Sequence, residues 1–394
     1  MTLEVMYKLM LPKPLLFFFL TLLAISSVGQ TRSTDSDQQG EIRAHYEAAQ
    51  AQEKKGDWAA AETEWKLVLQ LAPDDARACT NLGIALSRQD KTAEAIEAWK
   101  RAAALDSRLA GAHFNLGLAL VRRGDYSNAI LPLRRALLLE PENQGARRAL
   151  ALAFVGLERF QEASREIALL LVRAPRDASL LELAGQSFMR QRRFEEAATV
   201  LKRRLVLDDA TSQLWAQYGD ALDGAQRTPE ALEAYKRAVE LAPDSTNTRY
   251  GLGYLLWKLY LYDEAERELK NVLARVPNDA RAAFTLGDLY LTRGDSRDAL
   301  PLLERAAAAY PQEFDTRFAL GRALLSAGNR DRGIEELRAA VKLDDSIADG
   351  HFQLGRALMQ AGQKEEGKQQ LDRAKELHDS KRKAERERFK PKAN

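Results

Sequence analysis

From Ile42 onward, apolar and polar positions follow each other with the spacing of helices rather than strands. Leu82, Leu116, Leu150, Leu252, Leu286, Leu320 and Leu354 recur on a 34-residue lattice, and Leu86, Leu120, Phe154, Leu256, Tyr290 and Leu324 stand four places after the corresponding leucines. Residues four apart share one face of a helix, so each pair marks an apolar stripe. A second bulky column, Trp65, Trp99, Leu133, Ile167, Leu201, Tyr235, Leu269, Leu303, Leu337 and Leu371, keeps the same period. Between the two runs a column of small residues, Gly83, Gly117, Gly185, Gly219, Gly253, Gly287, Gly321 and Gly355, with Ala49 and Ala151 in its other places, is followed twelve residues later by Ala61, Ala95, Ala129, Ala163, Ala197, Ala231, Ala265, Ala299, Gly333 and Gly367. The pattern predicts two antiparallel helices per period, brought close by small side chains.

Turn chemistry agrees with that reading. Gly56-Asp57, Gly124-Asp125, Gly294-Asp295 and Gly328-Asn329 fall between the two helices, where glycine can take the left-handed conformation and the next residue can cap the second helix. Pro73-Asp74-Asp75, Pro141-Glu142-Asn143 and Pro277-Asn278-Asp279 end one period and cap the next. Ten such units run from Ile42 to Lys381 without insertion. One hairpin cannot bury both apolar columns, whereas stacked hairpins can.

With the glycine numbered position 8 and the small residue after it position 20, the chain resembles the tetratricopeptide-repeat family over residues 42–381. The resemblance implies an all-α, right-handed superhelical solenoid whose first helices line a concave groove that holds a protein or peptide. Some members clamp a terminal carboxylate with lysine, asparagine and arginine at set positions. Here those places hold Tyr46, Gln50, Asn81, Gly111 and Asn115, of which only Asn81 matches, and an asparagine ladder at position 6 stops after Asn115.

If positions 4, 7, 8 and 11 of the first helix face its partner, positions 2, 5, 9 and 12 line the groove at about 100° per residue. Position 5 carries four aromatics in succession, Tyr250, Phe284, Phe318 and Phe352, and Tyr254 and Trp257 extend them sideways. Arg281, Arg322, Arg356 and Lys258 add positive charge, with Asp288, Asp315 and Asp349 on the same face as candidates to neutralise it. Exposed aromatics beside arginine are the composition of an interface hot spot. The candidate partner-binding set is therefore Tyr250, Tyr254, Trp257, Phe284, Phe318, Arg322, Phe352 and Arg356, taking a segment with apolar and acidic side chains; the alternative is that the rings only pack against one another down the array.

Composition narrows the function classes. Lys+Arg 59 against Asp+Glu 57 leaves a formal charge of +2, which gives no field to draw the chain onto nucleic acid. Cys79 is the single cysteine, which excludes intrachain disulfides and cysteine-rich zinc sites. His45, Cys79 and His113 share position 4 in successive units, but helices about 10 Å apart cannot bring them to one metal. Gly251-Leu252-Gly253 lacks the strand and third glycine of a phosphate loop, and Asp74-Asp75, Asp208-Asp209 and Asp344-Asp345 sit in turns that capping explains. No catalytic motif and no cofactor or metal site is expected. The reading is a non-enzymatic scaffold; the alternative is an accessory subunit of envelope polysaccharide or enzyme assembly, holding a glycan or a catalytic partner.

The ends complete the domain plan. Residues 1–29 hold Lys8, Lys13 and the apolar run LLFFFLTLLAI from Leu15 to Ile25, shorter than the roughly 18–20 residues of a stable span, and read as a signal peptide cleaved after Gly29. The chain is thus expected to be exported, to a periplasm or outside the cell, or else anchored by this segment if uncleaved, its only route to a membrane. Residues 30–41 read as a flexible polar linker, and 382–394 as a basic capping helix or tail.

Overall fold

A computed structural model describes residues 17–207 and 210–388. Among them the regular elements are all helices, in two compact blocks divided at Pro175. The N-terminal block holds α1 (Phe17–Lys55), α2 (Trp58–Leu71), α3 (Ala76–Ser87), α4 (Thr92–Leu105), α5 (Ala110–Arg122), α6 (Tyr126–Leu139), α7 (Gln144–Gly156) and α8 (Phe160–Arg173). The C-terminal block holds α9 (Ala178–Arg190), α10 (Phe194–Leu205), α11 (Ser212–Gly224), α12 (Thr228–Leu241), α13 (Thr246–Lys258), α14 (Tyr262–Arg275), α15 (Ala280–Arg293), α16 (Ser296–Ala309), α17 (Phe314–Ser326), α18 (Arg330–Leu343), α19 (Ala348–Gln360) and α20 (Lys364–Arg388). Each odd-numbered helix pairs with the next, and within a block each pair packs on the following one. This is the all-α repeat array that the 34-residue lattice implied.

The small columns work as follows. A β-carbon on Gly117 would lie 2.4 Å from Leu133, and one on Gly287 would lie 2.8 Å from Leu303. The space at position 8 is thus filled chiefly by the side chain at position 24 of the same repeat. The backbone at position 20 is the second neighbour: the Gly333 carbonyl would stand 3.1 Å from a β-carbon on Gly321. Ala61, Ala95, Ala129 and Leu133 are fully buried in consequence.

The corner between paired helices is left-handed in every repeat. Gly56, Gly124, Gly294, Gly328 and Gly362 have φ between +78° and +89°, and Asp90, Glu158, Arg192, Gln226 and Tyr260 occupy the same lattice position at φ between +57° and +63°. Of the residues expected to cap the second helix, Asp57 accepts from the Ala60 amide at 3.0 Å, but Asp125, Asp295 and Asn329 make no such bond. The tight corner holds their ψ at 56–67°, short of the extended geometry that aims a capping oxygen. Where the linker between pairs leaves ψ near 100°, Asp75, Asp177 and Asp279 do cap the following helix.

Residues 1–16 of the expected signal segment lie outside the described residues, as does Asp208-Asp209. Residues 30–41 differ from the expected flexible linker: they belong to α1, which runs on unbroken. Gly40 is the weakest of several weak helix formers there, a cost of about 1 kcal/mol, and the Gln38 side chain is tied to the Leu71 carbonyl at 3.0 Å. No helix among the described residues is long and apolar enough to cross a membrane.

Candidate functional site

In the C-terminal block α11, α13, α15, α17 and α19 also touch one another directly, which makes one continuous face from the first helices of successive pairs. The eight candidate residues stand on it, but to different depths. Tyr250 is half-buried against Leu269, Val272 and Leu286; Phe284 against Leu303, Leu320 and Leu324; Phe318 against Ile334, Leu337 and Leu354. Phe352 alone of the four is exposed, at 42%. Position 5 is therefore partly a core position between neighbouring pairs.

Ring contacts do not run down the array. Tyr250, Phe284, Phe318 and Phe352 do not stack on one another; the contacts lie along single helices, Tyr250 to Tyr254 at 6.3 Å, Tyr254 to Trp257 at 5.7 Å and Phe314 to Phe318 at 5.2 Å. What each position-5 ring receives instead, except Phe284, is a guanidinium. Arg281 lies over Tyr250 at 4.7 Å, Arg322 over Phe318 at 5.6 Å and Arg356 over Phe352 at 5.7 Å. Such contacts are worth about 0.5–1 kcal/mol at exposed sites.

The charges on this face divide into matched and unmatched. Arg281 pairs with Asp279 at 3.0 Å, and Lys258 donates to both oxygens of Asp223 at 2.7 and 2.9 Å. Among the described residues Arg322 and Arg356 form no ion pair. Burial pushes the Asp288 carboxyl up, with the charge of Arg322 and a hydrogen bond from Trp257 acting against the shift. Asp315 and Asp349 are exposed and neutralise neither arginine.

A second feature was not singled out from sequence. Between α11 and α13 lies a cavity of about 760 Å³, lined by Gln217, Asp220, Tyr235, Tyr250, Tyr254 and Arg281 among others. Tyr235 reaches it from α12: a β-carbon on Gly219 would lie 2.6 Å from its ring and one on Gly251 2.1 Å, so two glycines open the path. The Tyr235 hydroxyl then donates to Asp220 Oδ1 at 2.5 Å. Burial, and next the Asp220 charge, raise the phenol above its ordinary range; burial likewise raises the Asp220 carboxyl, against the pull of that hydrogen bond. One sequence signal existed. Gly251 is the single glycine at position 6, and it follows the single tyrosine at position 24.

The residues weighed for chemistry are occupied locally. His45 Nδ1 lies 2.6 Å from Glu64, His113 Nε2 lies 3.1 Å from the Ser107 carbonyl, and Cys79 is buried. Among the described residues no three His, Cys, Asp or Glu side chains converge as metal ligands.

Two family models, each described as a tetratricopeptide repeat, match residues 80–147, 148–210 and 183–246, and residues 224–289 and 290–349. The chain belongs to the tetratricopeptide-repeat family. No curated protein matches it in sequence. Among solved structures it is similar to Naa15/Naa10 bound to HypK-THB, at 16% identity over 85% of this chain and 63% of that one, with a TM-score of 0.50. It is also similar to MamA 41-end from Desulfovibrio magneticus RS-1, at 24% identity over 44% and 98% with a TM-score of 0.40. The APC/C hetero-tetramer Cut9-Hcn1 is a third, at 14% identity over 84% and 86% with a TM-score of 0.49. At these identities the likeness to Naa15/Naa10 is one of fold.

Proposed function

We propose that this protein is a non-catalytic scaffold that holds a segment of another protein on the first-helix face of its C-terminal block. The observation that carries the reading is the state of Arg322 and Arg356: each guanidinium lies over a ring of its own first helix, and among the described residues neither forms an ion pair, although the charge of Arg322 is felt by Asp288. A cation resting on a ring and outside any ion pair is available to an incoming carboxylate, and charge-assisted bonds of that kind are stronger than neutral ones. Phe352, with Tyr254 and Trp257 along the same face, supplies apolar area for the rest of the segment. The ligand class is an extended or helical segment bearing apolar and acidic side chains.

The half-buried Phe284 and Phe318 are unsuitable as test sites because their loss would open the core. Arg322→Ala, Arg356→Ala and Phe352→Ala combined should leave circular dichroism unchanged and abolish retention of the protein that the unaltered chain captures from its own cells. Undiminished retention by the variant would reject the reading. The apolar run Leu15–Ile25 supports export of the chain, in which case that partner is sought outside the cytoplasm. N-terminal sequencing of the mature protein checks this: a start at Gln30 is expected, and membrane-bound material starting at Met1 would contradict it.

A further inference from the structure

The first-helix face that carries cations outside any ion pair at one end carries a carboxylate outside any ion pair at the other, among the described residues. Read along position 9 of the last five repeats, the column is Asp220, Tyr254, Asp288, Arg322 and Arg356. Around the cavity between α11 and α13 the other charges cancel. Asp223 takes both of its oxygens to Lys258 and accepts a further bond from Thr228 Oγ1 at 2.8 Å, while Arg281 is held by Asp279 and by Asn247 at 3.2 Å. Among the described residues no cation pairs with Asp220. One of its oxygens accepts from the Tyr235 hydroxyl, and the residue is exposed to the cavity.

The arrangement is built rather than incidental. A tyrosine is threaded from the second helix of the sixth repeat past Gly219 and Gly251 to fix that carboxylate in one orientation. The rings of Tyr250 and Tyr254, 6.3 Å apart, line the same cavity and offer faces along which an alkyl stem can lie.

We propose that this cavity takes the side chain of an arginine or lysine of the bound segment, which therefore lies with its basic end at the sixth and seventh repeats and its acidic end at the ninth and tenth. The inference rests on the first-helix face being the binding face. Asp220 supplies the charge, Tyr235 orients it, and Tyr250 and Tyr254 flank the stem. The cavity walls partly desolvate the Asp220 carboxyl and disfavour its ionised form in the free protein, and an entering cation offsets that cost.

The test is a peptide-display library of about thirty randomised residues, long enough to span about 40 Å even as a helix, sorted on the full chain, on Asp220→Asn and on Arg322→Ala/Arg356→Ala. Peptides selected by the unaltered chain should be enriched in one basic residue at a fixed separation from an acidic one. Asp220→Asn should lose the basic preference and keep the acidic one, and a synthetic arginine-bearing peptide from the selection should bind it at least about tenfold more weakly. Asp220→Lys should replace the basic preference by an acidic one, which covers the case in which the asparagine variant does not fold. A basic preference that is absent, or unchanged in both Asp220 variants, overturns the proposal even where the arginine-dependent acidic preference persists. Selection that depends on neither Asp220 nor the two arginines overturns the reading of the binding face itself.

Discussion

A β-carbon on Gly251 would stand 2.1 Å from the ring of Tyr235, closer than any packed pair of carbons. Two residues in successive repeats therefore fit each other and no common alternative. Gly251→Ala should destabilise the protein by about 1–3 kcal/mol, the range for overpacking a filled site. Adding Tyr235→Leu should recover most of the loss, because leucine at position 24 already tolerates alanine at the facing position in the Leu133 and Ala149 pair. Urea midpoints of the single and double variants check this; an unaltered midpoint in Gly251→Ala would show that the ring can move aside.

The left-handed corner gives a gain rather than a loss. Gln226 sits at φ +63° in a position where five other repeats have glycine. For a residue with a β-carbon that conformation costs about 1–2 kcal/mol, part of which glycine gives back through its greater freedom when unfolded. Gln226→Gly should stabilise the chain by about 0.5–1 kcal/mol, and Gly294→Ala should cost a similar amount. No gain at 226 by urea denaturation would contradict the account of the corner.

Acid stability of the N-terminal block should depend on Glu62. Burial alone would raise its carboxyl, but Lys66 at 2.6 Å, Lys91 at 2.7 Å and Gln89 at 2.8 Å all donate to it and bring it down to about 2. A folded-state value below the unfolded 4.5 stabilises the fold fully above pH 4.5, and that contribution is lost as the pH falls toward 2. Glu62→Gln should reduce stability at neutral pH by about 2 kcal/mol and flatten the dependence across that window. Thermal unfolding at a series of pH values reads both effects; an unchanged acid slope would contradict the assignment.

How far the sequence reveals this molecule differs by column. The small residues at positions 8 and 20 and the turn glycines are constraints that a single residue expresses, so the helix pairs and their boundaries were legible. Position 4 was not: it reads as a tolerant core site, yet Arg147, Arg249 and Arg317 each pair with a glutamate nineteen residues on, Glu166, Glu268 and Glu336, and donate to the proline carbonyl six residues back. That clamp belongs to three columns at once, two of which look like ordinary surface. The aromatic column at position 5 was visible, but not how much of each ring is turned into the core, since that depends on the neighbouring pair. Tyr235 and Asp220 meet only because α12 packs behind α11.

The clamp itself is testable. Arg249 and Glu268 are 2.6 Å apart and at least three-quarters shielded from solvent. A double-mutant cycle of Arg249→Met and Glu268→Gln should give a coupling of about 1–2 kcal/mol, above the 0–1 kcal/mol of an exposed pair. A coupling indistinguishable from zero would reduce the clamp to a surface contact.

The most direct measurement of the scaffold reading places a photoreactive side chain at Phe352 on the first-helix face, or at Lys236 on α12, a second helix, in the full chain within its own cells. A covalent adduct with a distinct protein should form from position 352, should be absent from position 236, and should disappear when Arg322 and Arg356 are changed to alanine. Adducts that form equally from both positions, or that survive loss of the two arginines, would show that this face does not hold the partner.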